Sequence, residues 1–297
     1  MDNRVKRDNK NSFGQSYFNW ELVEKKNSFI TISTVNHILG QCRNIGKPIS
    51  ELEVLDVGCG AGQFTFEIAK KVGSVVGVEP FKEAYLKAIS KKRKLKFGKN
   101  ITFQNIPIEK YDTEQKFDLV LCLTTLEHMP DANTSFNKIY ELLKEGGKIY
   151  LTVPNKLWPY EYHYRLPFLS WLPIKYANLY VRLTRRGASF EDSAYAMSYL
   201  GIKKFFDNFP CRYEFIVPDP REKFLGLGST DFFYNQMKNM GIWFLKKFSF
   251  FWFFSKAFII VITKKRLSAD IKHSKFIINC AKSTEAKIKY LHIKREA

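Results

Sequence analysis

The chain has 297 residues, 45% of them hydrophobic and 26% charged, which allows one large domain with a buried core and excludes a disordered or low-complexity chain. A formal net charge of +19 and a 16% aromatic content stand apart from the ordinary, and the charge favours nucleic acid, an anionic membrane or phosphorylated substrates as surroundings. Five scattered cysteines without a CxxC pair argue against a zinc site and a disulfide framework, and for a reducing compartment.

Residues 1–50 read as a polar lead followed by helical segments. The opening "MDNRVKRDNKNSFG" has charge but no apolar run, so a secretory signal is not expected. Over residues 51–154 strands and helices alternate. "EVLDV" is a strand and "FTFEIAKKV" a helix; "VVGVE" is a second strand, followed by the basic helix "FKEAYLKAISKKRKLK". "ITFQN" and "FDLVLCLTTL" are the third and fourth strands, "SFNKIYELLKEGG" a helix with a glycine stop, and "KIYLTVP" the fifth strand. This alternation predicts an α/β fold, a Rossmann-like doubly wound sheet with helices on both faces. In such sheets the ligand crevice lies beyond the carboxyl ends of the strands.

Residues 155–211 break the regularity with "NKLWPYEYHYRLPFLSWLP" and then the basic "RLTRRG", and read as a lid or substrate insertion. Residues 212–265 supply two last strands, "RYEFIVP" and "AFIIVITKK", separated by "GIWFLKKFSFFWFF". Residues 266–297 form a basic tail. The stretch 244–262 is interrupted by Lys246, Lys247 and Lys256, which argues against a spanning helix. An aromatic helix flanked by lysines suits the lipid interface, or else the core or a partner.

The chemistry concentrates in "LDVGCGAGQF", residues 55–64. Gly62 follows Gly60 by two residues, whereas a dinucleotide fingerprint needs three. Asp56, just before the first glycine, would repel a pyrophosphate but attract a cation. Glu79, at the end of the second strand, can accept hydrogen bonds from a ribose hydroxyl pair. A cofactor with a ribose and an ammonium but no pyrophosphate satisfies both carboxylates, and S-adenosylmethionine is such a molecule.

With "VLDVGCGAGQF", "VVGVEP", "FDLVLCLTTLEHMPD" and "LLKEGGKIYLTVPN" in order, residues 53–154 resemble the core of class I S-adenosylmethionine-dependent methyltransferases. The subgroup includes ubiquinone-pathway O-methyltransferases. In that family the sheet is mostly parallel with an antiparallel last strand. The resemblance implies that Asp56, Gly58, Gly60 and Gly62 surround the methionine moiety, with Cys59 and Gln63 in the same loop. It implies Glu79 beside Pro80 at the ribose, Leu123 and Thr124 along the pocket, and S-adenosylhomocysteine as product. Pro107 stands about where the family often carries an acid for the adenine amino group, which shifts that role to backbone near Ile108.

His128, in "LEHMPD", is a suitable base for a hydroxyl acceptor, or else a histidine that only packs beside the cofactor. Some relatives bind a divalent metal with a Glu-x-x-Glu-His run. Here Glu127 and His128 remain but Thr124 replaces the first Glu, so no metal is expected. In the insertion, His163 is a second candidate base, and Tyr160, Glu161 and Arg165 are candidate substrate contacts. The insertion resembles, more loosely, methyltransferases encoded with sugar and cell-envelope enzymes.

The expected activity is therefore methyl transfer to an oxygen of a saccharide or lipid-linked glycan, in the cytoplasm or peripherally on the inner membrane face. A quinone-like small molecule or RNA is the alternative acceptor. Against RNA, the sequence has no separate RNA-binding module and no Asn/Asp-Pro-Pro-Tyr type motif. A non-catalytic membrane-surface binding protein of the same fold is the last reading. The oligomeric state is not legible.

Overall fold

The computed structural model describes residues 20–265, apart from 96–97, 162 and 218–231. The expected basic tail, 266–297, lies outside the described residues, as does the start of the polar lead.

Five strands are β1 (Glu53–Val57), β2 (Ser74–Val78), β3 (Ile101–Gln104), β4 (Phe117–Leu123) and β5 (Leu143–Pro154). Residues 160–161 and 166–167 pair as a small separate hairpin, β6 and β7, and β8 (Cys211–Phe215) and β9 (Ala257–Lys264) return to the main sheet. The order is β3-β2-β1-β4-β5-β9-β8. β1 to β5 pair in parallel, whereas β9 runs antiparallel to both β5 and β8. The Rossmann-like sheet and its antiparallel last strand are thus as expected.

The sheet is sandwiched because its strands are apolar on both faces. In β1, Val54 joins the core on the side of α1 (Trp20–Gln41) and α2 (Gln63–Ile68). Its neighbours Leu55 and Val57 join the opposite core, with α4 (Ala132–Leu142) and α6 (Tyr199–Phe206). β4 is buried along almost its whole length, the expected habit of a central parallel strand. The basic helix α3 (Lys82–Lys94) buries only Ala84 and Ala88 on its inner side.

One boundary differs from the sequence reading. The helix expected to run through "LLKEGG" ends at Leu142, and Leu143 already pairs with Phe117 in β5. Gly146 adopts φ +76° and the register slips between Phe117 and Leu119, so the glycines make a bulge inside a strand rather than a helix stop.

The insertion contains one regular helix, α5 (Ile174–Leu183), and its own small core of Leu166, Leu169, Ala177, Val181 and Phe190. Helix α7 (Phe232–Lys247) and a short turn of helix at Ser249–Phe254 precede β9. Among the described residues, no helix is long and apolar enough to cross a membrane.

Candidate functional site

Where β1, β2 and β4 end, their connections enclose a cavity of about 840 Å³. The glycine loop forms one wall. Gly58, Gly60 and Gly62 all take left-handed conformations, with φ of +68°, +55° and +80°. Two of them are also pressed by this protein's own side chains. A Cβ on Gly58 would stand 2.3 Å from Thr125 Cγ2, and one on Gly62 would stand 2.7 Å from the Phe66 ring. The loop is tied to β2 by the amides of Gly58 and Cys59, both donating to the Val78 carbonyl.

Two buried carboxylates flank the loop. Asp56 is 3% exposed and accepts a hydrogen bond from Thr65 Oγ1 at 2.6 Å. Burial, opposed by the Thr65 hydroxyl and reinforced by Glu79, pushes its pKa up to about 6. Glu79 accepts from the Gly60 amide through Oε2 and from the Phe81 amide through Oε1, each at 2.8 Å. Burial raises its pKa as well, against those two amides. Cys59 lines the same wall, and burial, with Asp56 and Glu79 nearby, drives its thiol well above the ordinary value, which disfavours the thiolate.

The far end of the cavity lies after β4. Thr124 holds φ +50°, a strained setting for a β-branched residue, secured by its amide donating to the Thr152 carbonyl and hydroxyl at 2.9 and 3.0 Å. One turn on, His128 faces His163 from the insertion, with ring centroids 5.3 Å apart. His163 Nδ1 is 2.7 Å from Glu161 Oε1, and Glu161 Oε2 accepts from the Tyr164 amide at 2.6 Å. Burial lowers the His163 pKa, but the Glu161 carboxylate outweighs it, with Glu127 adding, and the net shift is upward. Glu127 itself is 1% exposed, and burial raises its carboxyl to about 7.

Asp56, Gly58, Cys59, Gly60, Gln63, Glu79, Pro80, Ile108, Leu123, Thr124, His128, His163 and Arg165 all line this one cavity. Gly62 does not line it but caps α2 from below. Of the candidate substrate contacts only Arg165 faces the cavity: Tyr160 is 41% exposed elsewhere, and buried Glu161 supports His163 instead.

Sequence reasoning passed over Glu109, which lines the cavity two residues beyond Pro107 and receives the Ser135 hydroxyl. The signal was present in "NIPIE", one short turn later than the acid was sought. It also missed Thr125, whose contact with Gly58 no spacing announces.

Residues 49–183 match the family described as a methyltransferase domain. The chain is 33% identical over 106 residues to the ubiquinone biosynthesis O-methyltransferase of Pseudoalteromonas translucida, covering 35% of this chain and 44% of that protein. The enzyme of the same name from Idiomarina loihiensis is 38% identical over 106 residues, with 35% of this chain and 43% of the relative covered. The chain thus spans less than half the length of these curated relatives. Among solved structures, the plantazolicin methyltransferase BpumL in complex with SAH superposes with a TM-score of 0.51 at 15% identity, over 83% of this chain and 88% of that one. At that identity the likeness is one of fold.

Proposed function

We propose that this chain, whose residues 49–183 are an S-adenosylmethionine-dependent methyltransferase domain of class I, moves the sulfonium methyl group to a hydroxyl of a small lipophilic acceptor, quinol-like in its chemistry. The observation that carries the reading is the His128–His163 pair, set in the same cavity as the glycine loop but beyond it. A cofactor whose methionine end lies on the loop between Asp56 and Gly60 would direct its methyl group toward that pair. Its ribose would share Glu79 with the Gly60 amide, and its adenine would run past Ile108, with Glu109 in reach of the amino group.

In-line displacement forms the O–C bond as the S–C bond breaks, releasing S-adenosylhomocysteine. The hydroxyl must lose its proton in that step, and the histidine pair is placed to take it. Most of the acceleration would come from holding the two reactants in line. Around the histidines the apolar lining is Leu123, Met129 and Pro130, beside Thr124, Thr125 and Arg165. That apolar set suits an aromatic ring better than a saccharide, which needs many side-chain amides and carboxylates. The names of the curated relatives point the same way. The saccharide or lipid-linked glycan expected from the insertion gives way to this acceptor.

A second feature supports delivery of the acceptor from a membrane. Phe168, Trp171, Tyr176, Leu179 and Leu183, on and before α5, are each about half exposed or more. Lys175, Arg182, Arg185 and Arg186 surround them, and residues 164–190 contain no Asp or Glu. Apolar rings framed by cations suit an anionic lipid interface. The expected segment 244–256 contributes less evenly: Trp252 is buried in the core, while Phe250 and Phe254 are exposed. This moves the emphasis from residues 244–256 to α5.

The test is transfer of labelled methyl from S-adenosylmethionine to an extract divided into lipid, nucleic acid and water-soluble metabolites. Label in the lipid fraction, on a species that comigrates with methylated quinols, is the expected result. Label confined to RNA or to soluble sugars would replace the proposed acceptor.

A further inference from the structure

The main sheet ends in β3 on one side and β8 on the other, and among the described residues no further strand pairs beyond either. In an antiparallel pair, successive residues turn their amide and carbonyl alternately toward the neighbouring strand and away from it. The Ile216 amide donates to the Ile259 carbonyl at 2.8 Å, which sets the phase of that alternation. Arg212 and Glu214 therefore bond to β9, and the backbone groups of Tyr213 and Phe215 point away from the sheet.

The side chains of β8 add a second pattern. Arg212 and Glu214 share one face of the strand, 76% and 55% exposed, and pair with each other at 2.7 Å. An exposed ion pair of this kind contributes little to stability. Charges on a short edge strand ordinarily guard it against pairing. Here the signs are opposite and Tyr213 stands midway between them, so one register turns the guard into a match. An antiparallel copy centred on Tyr213 sets each Arg212 opposite the partner's Glu214. The other edge has no such pattern, since the exposed residues of β3 are the uncharged Thr102 and Gln104.

We propose that β8 is a self-association surface, where a second copy of this chain pairs antiparallel about a two-fold axis through Tyr213 and joins two sheets into one. The two Tyr213 residues then exchange both of their N–H···O bonds. Arg212 and Glu214 of the two copies gather on one face as four charges of alternating sign. Such a contact presents the same patch from both copies and closes at two. Apolar area adjoins the opposite face: Phe215 packs on Tyr199 at 5.1 Å, Tyr199 on Phe253 at 5.4 Å, and Phe253 on the exposed Phe250 at 5.5 Å. In the sheet, β5 and β9 separate β8 from β4, so the pairing leaves the cavity beyond β1, β2 and β4 untouched. The inference does not rest on the methyl-transfer reading.

Sedimentation velocity of the full chain, from micromolar to submillimolar concentration, reads the association. The wild type is expected to shift reversibly from monomer to dimer. Arg212→Glu and Glu214→Arg each set like charges opposite one another, and each should weaken dimerisation at least about tenfold. The doubly exchanged chain, Arg212→Glu with Glu214→Arg, should recover it. An equimolar mixture of the two single variants should recover it as well, because each supplies the charges that the other lacks. Both side chains are exposed, so the melting temperatures should stay within a few degrees of wild type. A wild type that remains monomeric throughout would overturn the surface. So would a dimer indifferent to these exchanges, as one built on the α5 face would be.

Discussion

Glu79 Oε2 accepts the Gly60 amide at 2.8 Å, so the end of the second strand holds the glycine loop in shape through the same carboxylate proposed to meet the ribose. Glu79→Gln keeps the shape and one acceptor but loses the charge. Charge-assisted hydrogen bonds contribute about 1.5–3 kcal/mol, so S-adenosylmethionine affinity is expected to fall roughly 10- to 100-fold. Isothermal titration of both proteins measures it, and an unchanged affinity would remove Glu79 from the ribose.

Gly58→Ala separates backbone strain from crowding. The residue sits at φ +68°, and its new Cβ would meet Thr125 Cγ2 at 2.3 Å. Left-handed strain alone costs about 1–2 kcal/mol, and the clash adds to it. With about 2–4 °C per kcal/mol for larger domains, a loss of several degrees in melting temperature is expected. The second change Thr125→Ala should restore part of it by removing Cγ2 and Oγ1. No recovery would mean that the backbone alone decides.

Asp56 gives a pH dependence whose sign can be worked out. Its folded pKa, raised to about 6 by burial, lies above the value of about 3.9 for an unfolded aspartate. The folded state therefore binds the proton more tightly, and the ligand-free protein loses stability as pH rises from about 4 to about 6, by an amount on the order of 3 kcal/mol. A cationic cofactor prefers the ionised form, so its affinity should weaken as pH falls below about 6, by at most about tenfold per unit. Asp56→Asn should flatten both profiles. Denaturant melts and titrations across pH 4.5–7.5 check the two signs separately.

Much of this was legible because it is local in the chain. Continuous apolar runs such as Phe117–Leu123 announce buried parallel strands, and the loop at residues 56–63 carries its chemistry within a few neighbours. What was not legible depends on distant segments meeting. Nothing near His128 tells that its ring faces His163 of the insertion. Likewise Gly146 reads as a helix stop until the strand beside it, β4, captures Leu143. Helix α5 is amphipathic, with Ala177 and Val181 turned inward, but the aromatic and proline-rich run that leads into it reads as irregular chain.

The α5 surface yields a prediction independent of the cavity. Trp171→Glu with Leu183→Glu replaces two exposed apolar side chains by charges of the wrong sign for anionic lipid. Sedimentation with vesicles containing phosphatidylserine should fall at least tenfold while the melting temperature stays within a few degrees, since neither side chain joins the buried core. Equal sedimentation of wild type and variant would assign the face another purpose.

Whether this loop holds a methionine-bearing nucleoside is decided by calorimetry of S-adenosylhomocysteine with the wild type and Asp56→Ala, alongside circular dichroism of both. One site per chain is expected in the wild type, and loss of measurable binding in Asp56→Ala with an unchanged spectrum. No heat with the wild type, or equal affinity in the variant, would contradict it.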